Sequence, residues 1–139
     1  MCIRDRVTSF ILDFCKRSRS RREIRPYLKA LVRLTKQWKS LTRKIGFAAM
    51  RNRDAVGAAS VDYIMFSGYL LLGVAWAASA RAAYRRLEQG TQEEAFFRSK
   101  IQTADFYFAK ILPRTTALLE TMSAGPEPLM KMEEEHFIF

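Results

Sequence analysis

Histidine is nearly missing from this sequence: His136 is the sole copy in 139 residues. Imidazole-based metal sites and acid–base pairs need a histidine with suitable neighbours. His136 has no second histidine within ligand spacing, so it reads as a solvated tail residue. Cysteine is almost as scarce. Cys2 and Cys15 both lie near the N-terminus without a CxxC partner, which argues against a thiolate metal site or a disulfide framework. A reducing, cytoplasmic compartment is the matching expectation. There is also no glycine-rich phosphate loop, no G-x-S-x-G elbow and no carboxylate pair at catalytic spacing. No residue is nominated as catalytic, cofactor-binding or metal-ligating, and a freestanding enzyme is not expected. Glycine (six) and proline (four) are few, and most fall where helices should end.

What remains is a globular composition, 49% apolar and 27% charged, in a length that suits one domain. Its charge is lopsided. Residues 1–53 hold 16 Lys and Arg against 3 Asp and Glu, a net of +13, whereas residues 54–139 hold 8 against 11, a net of −3. A basic end of this kind suits either docking on an acidic surface or binding of nucleic-acid phosphates.

Met1–Arg6 shows no helical or strand period and reads as a ragged leader, and residues 7–23 read as a basic linker. The apolar run Phe10–Phe14 is too short for a signal peptide and ends in the basic block Lys16–Arg22. From there the period of a helix is plain. Ile24, Tyr27, Leu31, Leu34, Trp38, Leu41 and Ile45 alternate three and four apart, with Lys and Arg covering the outer face. Ser20 and Glu23 have capping-box spacing, but a start near Arg25 puts Pro26 in the first turn, where a proline costs least. Asn52 or Asp54 caps a second helix running to about Leu87, and Gly90 stops it. Thr91 and Glu94 open a third, with the seam Phe97, Ile101, Ala104, Phe108, Ile111, Thr115, Leu118 and Met122. Pro113 should kink it, and Ala124–Pro128 should end it. Leu129–Phe139 forms an acidic and then aromatic tail. The expected fold is all-α, an antiparallel bundle of about three long helices, with the first and third sandwiching the nearly all-apolar second.

Tyr63–Ala80 carries no charge, which raises a membrane span or a buried core helix. Two amphipathic neighbours need an apolar partner, so a core helix is the expectation, with Gly68, Gly73 and Ala77 allowing close approach. Arg51 and Arg53 on one side and Arg81, Arg85 and Arg86 on the other leave little orientational bias for a span. Asp62 should pair with an arginine from an adjacent helix rather than act as a buried functional carboxylate. Phe106, Tyr107 and Phe108 could line an acyl pocket, but consecutive residues on a helix point apart, so core and interface contacts are expected. On the first long helix no aromatic side chain interleaves the basic face for base stacking, which favours a docking face over a nucleic-acid site.

Three patterns resemble the C-terminal domain of one branch of the acyl-CoA dehydrogenases, the branch that includes 3-methylmercaptopropionyl-CoA dehydrogenases. They are Val61-Asp62-Tyr63 with Phe66, Gly68, Gly73 and Ala75-Trp76; Lys100-Ile101-Gln102-Thr103-Ala104-Asp105-Phe106-Tyr107-Phe108 with Ile111-Leu112-Pro113; and Ala124-Gly125, Leu129-Met130 and an acidic turn ending in Phe137. Their order and spacing are more specific than any one alone, and the likeness covers about residues 24–137. The resemblance implies a helical domain over residues 24–139, accessory to an FAD enzyme that oxidises the Cα–Cβ bond of an acyl-CoA. In such enzymes a glutamate removes the α proton, FAD accepts the β hydride, and electrons pass to an electron-transferring flavoprotein. It implies as partners the rest of the dehydrogenase body and a homo-oligomer of the parent enzyme. None of the family's functional residues carries over: Glu133, Glu134 and Glu135 match a terminal motif, not the catalytic base. The chain alone is expected neither to hold FAD nor to turn over substrate, and residues 1–6 match nothing in the family. The alternatives are a small basic helical nucleic-acid-binding module and a small membrane protein; neither a nucleic acid nor a membrane span is expected.

Overall fold

The computed structural model describes residues 3–138, which are all-α, with no strand among them. Six α-helices follow in order: α1 (Ile3–Arg17), α2 (Arg25–Ala49), α3 (Asp54–Glu88), α4 (Glu94–Phe106), α5 (Thr115–Ser123) and the single turn α6 (Glu127–Met130). A π-turn at Tyr107–Ile111 and a 3-10 turn at Leu112–Arg114 join α4 to α5.

α1 corrects the expected leader and linker. Residues 3–17 are helical, and Ile11, Phe14 and Cys15 lie in the core. Its apolar period is interrupted because Thr8, at an inward position, and Ser18, just past its end, are polar and buried. Asp5 in the first turn and Lys16 and Arg17 in the last suit the helix dipole. So the bundle holds a helix beyond the three expected, and Met1–Cys2, part of the leader reading, lie outside the described residues.

α2 begins where proline allows. Ile24 precedes it fully buried, Pro26 sits in its first turn, and no side chain caps it, so the Ser20–Glu23 capping box is not used. Its seam from Tyr27 to Leu41 is buried as the spacing required. α3 starts with the Asn52 carboxamide oxygen accepting from the Asp54 amide at 2.9 Å, and stops at Gly90, whose φ of +78° suits glycine. The Thr91 hydroxyl accepts from the Glu93 amide rather than from that of Glu94, so α4 opens without the expected capping box.

The kink at Pro113 is resolved by a change of helix type. Proline has no amide hydrogen, and its ring crowds the carbonyl four residues back. The chain widens just before it, and the Leu112 amide bonds the Tyr107 carbonyl five residues back. Such widened turns relieve an interrupted ladder and redirect the helix axis. α5 ends at Gly125, φ +80°.

α3 is the centre of the packing, touching α2 along one side and α4 and α5 along another, while α1 packs on α2. Contacts fix the directions. Trp38 Nε1 donates to Ser67 Oγ at 2.9 Å, and the Thr42 and Tyr63 hydroxyls pair at 2.8 Å, so rising numbers on α2 meet falling numbers on α3. Tyr107 donates to the Tyr69 carbonyl at 2.8 Å and Thr121 to Asp62 at 2.6 Å, so α4–α5 runs against α3 as well. The inner face of α3 places Phe66 and Leu70 among small residues, Gly73, Ala77, Ala80 and Ala83. Small residues there let neighbouring helices come close. A Cβ added at Gly73 would stand 3.0 Å from Leu31 Cδ2. Phe66 and Leu70, 0% and 1% exposed, each contribute about 2–3 kcal/mol of burial.

Candidate docking surfaces

Polar groups lace the inner faces of the bundle and leave few free. Tyr27 donates its hydroxyl to the Asp105 carboxylate and stacks on Phe108 at 4.2 Å between ring centres. Burial and that carboxylate both push the Tyr27 hydroxyl well above the usual tyrosine range. Tyr107 is pushed up to about 12, mainly by burial. At the far end of α3, Arg81 donates to Ser18 Oγ at 2.8 Å and lies over the Phe14 ring. Arg21 clasps Glu88 with two bonds of 2.7 Å, which hold the Glu88 carboxyl below its ordinary range. These contacts pin the α1–α2 connection to the end of α3.

The residues singled out in the sequence now have places. Asp62 is half-buried and is held by the Thr121 hydroxyl, not by the arginine expected. Both sit where α3 and α5 meet. Phe106, Tyr107 and Phe108 point apart as expected: Phe106 is 57% exposed, Tyr107 is in the core, and Phe108 packs on Tyr27. His136 is exposed, and its Nδ1 accepts from the Glu133 amide at 3.3 Å, closing a terminal turn. Cys15 is buried, its thiol pushed up by burial. Of the two glycines and the alanine expected at close crossings, Gly73 and Ala77 are buried, whereas Gly68 faces open space.

Two surfaces stand out. The first is the outer face of α3. Val61, Ile64, Met65, Leu71 and Leu72 are 46–70% exposed, with Gly68 and Ala75 on the same side and no charge among them. α3 is long and apolar enough to cross a membrane, yet only 33% of its most apolar stretch is buried within the chain. The expectation of a core helix therefore holds for one face only. At its N-terminal end this face meets a cleft of 450 Å³ floored by Ile45, Val56, Ala59 and Ile64. Exposed Phe47 and Met50 extend the apolar surface where α2 turns into α3. Sequence reasoning missed this outward face because an apolar run without period does not say how many of its sides are covered.

The second is a groove of 590 Å³ where the end of α1 meets α2. Cys15, Leu28 and Val32 form its floor, and Arg19, Arg25, Lys29, Arg33 and Lys36 its rim. The period of α2 had already put Arg25, Lys29, Arg33 and Lys36 on one outer face. Neither surface fits a flavin. The groove's charged rim offers donors but no side-chain acceptor for the ring N–H or the sugar hydroxyls of FAD, and the α3 face is almost wholly aliphatic. No three His, Cys, Asp or Glu side chains cluster for a metal among the described residues. The arrangement can bury apolar area against another protein.

A comparison with curated proteins found no match. The family model described as acetyl-CoA dehydrogenase C-terminal like matches residues 6–133. That span takes in nearly all of α1, which the likeness over residues 24–137 had left out, so α1 is part of the family's domain. A match over that share of the sequence, on an all-α fold, means that this chain belongs to the acetyl-CoA dehydrogenase C-terminal-like family.

Proposed function

We propose that this chain is the accessory helical domain of an FAD-dependent acyl-CoA dehydrogenase, and that it packs on the dehydrogenase body through the outer face of α3. The observation that carries the reading is the uncharged stripe from Val61 to Ala75, exposed along the central helix of the bundle. Monomeric soluble proteins seldom expose so long an apolar strip unless a partner covers it. Gly68 lets that partner's backbone approach closely, because nothing lies within 4 Å of the Cβ position there. A membrane partner is less favoured. α2 lies alongside α3 at that level and carries Lys36, Lys39 and Arg43, which hydrocarbon would have to desolvate together with the stripe.

The flavin contacts and the glutamate base then belong to the dehydrogenase body, and this domain contributes no group to the reaction. The parent enzyme oxidises the Cα–Cβ bond of an acyl-CoA, works as a cytoplasmic homo-oligomer and passes electrons to an electron-transferring flavoprotein. The motifs around Asp62, Asp105 and Gly125 favour the 3-methylmercaptopropionyl-CoA branch.

Expression together with the genomic sequence encoded upstream tests the reading. A yellow protein that oxidises an acyl-CoA is expected, and a colourless, inactive product would overturn it. Ile64→Glu and Leu72→Glu test the docking face. Both positions are exposed here, so the melting temperature of this chain should stay within about 1 °C of the unmodified value. In the full-length enzyme the same changes should expose the domain to proteolysis. Unchanged protection there would remove α3 as the docking face.

A further inference from the structure

We propose that the acidic C-terminal segment of one copy, Glu127–Ile138, docks in the basic groove between α1 and α2 of a second copy. This inference does not rest on the dehydrogenase reading. The chain carries two surfaces that are complementary and both uncovered. Arg19, Arg25, Lys29, Arg33 and Lys36 rim the groove, all are exposed, and none forms an ion pair among the described residues. Four of them follow one another along α2, so they form a rail of positive charge about 16 Å long beside the apolar floor of Leu28 and Val32.

The segment has the opposite character. Glu127, Glu133, Glu134 and Glu135 outnumber Lys131, and Leu129, Met130, Met132, Phe137 and Ile138 are each more than half exposed. A short acidic stretch with an apolar residue at each end matches an apolar slot with cationic walls. Apolar side chains supply contact area, and charge sets register and partner choice. The turn closed by the Glu133 amide and His136 Nδ1 presents the three consecutive glutamates as a preformed unit, which lowers the ordering cost of docking.

A second copy is the occupant that the geometry favours. α5, which leads into the segment, leaves the bundle beside Asp62, level with Thr42 near the end of α2. The groove lies against the first half of α2, from Arg25 to Lys36. The two surfaces are thus displaced along the bundle, and a two-fold pair exchanging segments would seat both at once.

Sedimentation velocity on the whole chain tests the proposal. A monomer–dimer equilibrium is expected, weakening about tenfold when salt rises from low to physiological strength and beyond. The triple change Glu133→Lys, Glu134→Lys, Glu135→Lys should weaken it by about tenfold or more, and so should Lys29→Glu, Arg33→Glu, Lys36→Glu. Combining both sets in one chain should restore the dimer. All six side chains are exposed, so unchanged far-ultraviolet circular dichroism at concentrations where the chain is monomeric serves as the folding control. A monomer at every concentration, with the segment folded back on its own groove or free, would overturn the proposal. So would a dimer that ignores segment reversal and is lost with Leu72→Glu, because that would place the contact on α3. Failure of the combined variant to re-associate would refute the charge pairing.

Discussion

Adding one methyl group at Gly68 or at Gly73 should move stability in opposite directions, although both are interior positions of the same helix. Glycine in a helix interior is about 0.5–1 kcal/mol less favourable than alanine, because it loses more backbone freedom on folding. At Gly68 nothing lies within 4 Å of the new Cβ, so the gain is unopposed. Gly68→Ala should stabilise the chain by roughly 1 kcal/mol and raise its melting temperature by about 3 °C. At Gly73 the new Cβ meets Leu31 Cδ2 at 3.0 Å, Leu112 Cδ1 at 3.5 Å and Tyr107 Cε1 at 3.7 Å. Leu31 is 0% exposed and would have to yield by a few tenths of an ångström inside a filled core. Overpacking of this kind costs about 1–3 kcal/mol, which exceeds the propensity gain, so Gly73→Ala should be net destabilising by about 1 kcal/mol. The two variants should differ by about 2 kcal/mol in urea unfolding followed by circular dichroism, at unchanged m. Leu31→Val removes the obstructing methyl and should recover part of the loss, giving a coupling of roughly 0.5–1.5 kcal/mol in a double-mutant cycle. Equal stabilisation by both alanines would refute the close crossing at Gly73, and zero coupling with Leu31 would refute its assigned cause.

Leu70→Ala should destabilise by about 2–5 kcal/mol in the same assay, whereas Leu71→Ala, one residue on but 47% exposed, should cost under about 1 kcal/mol. Tyr107 ionises at about 12 in the fold because burial disfavours the phenolate, against about 10 in an unfolded chain. Its folded pKa is raised, so its contribution is complete below pH 10 and is lost as pH rises from 10 towards 12. Melting temperature followed upward from pH 9 should fall less steeply for Tyr107→Phe than for the unmodified chain, and parallel curves would contradict that. In a Cys2→Ser background Cys15 should resist iodoacetamide in buffer and react once urea is added, because burial both shields the thiol and keeps it protonated. Rapid labelling in buffer would mean that α1 opens readily from α2.

Exposure on α3 bears on how such a domain behaves alone. A helix whose inner face holds the core together and whose outer face is aliphatic has two partners to satisfy, and this chain supplies only one. An isolated domain of this kind should be prone to self-association through Ile64, Met65, Leu71 and Leu72, in competition with the charge-driven contact proposed for the C-terminal segment.

The sequence by itself determined the helices whose seams are apolar and periodic. Ile24 to Ile45 could pack only as a helix with one buried side, and Gly90, Pro113 and Gly125 marked stops and a bend because their backbones have special limits. The family patterns were equally legible. Tertiary structure alone decided the rest. α1 lacks a clean apolar period because Thr8 and Ser18 occupy inward positions. Arg81 satisfies the Ser18 hydroxyl, whereas the buried Thr8 hydroxyl has no hydrogen-bond partner among the described residues, and only the packing of the helices shows that both point inward. Asp62 found Thr121 instead of an arginine because the crossing of α3 and α5, fixed by the bend at Pro113, brings a hydroxyl to it. Which side of α3 remains open was likewise invisible. An uncharged run reports that no face pays a desolvation cost on burial, but the number of neighbours that arrive to bury it is settled only when the helices are assembled.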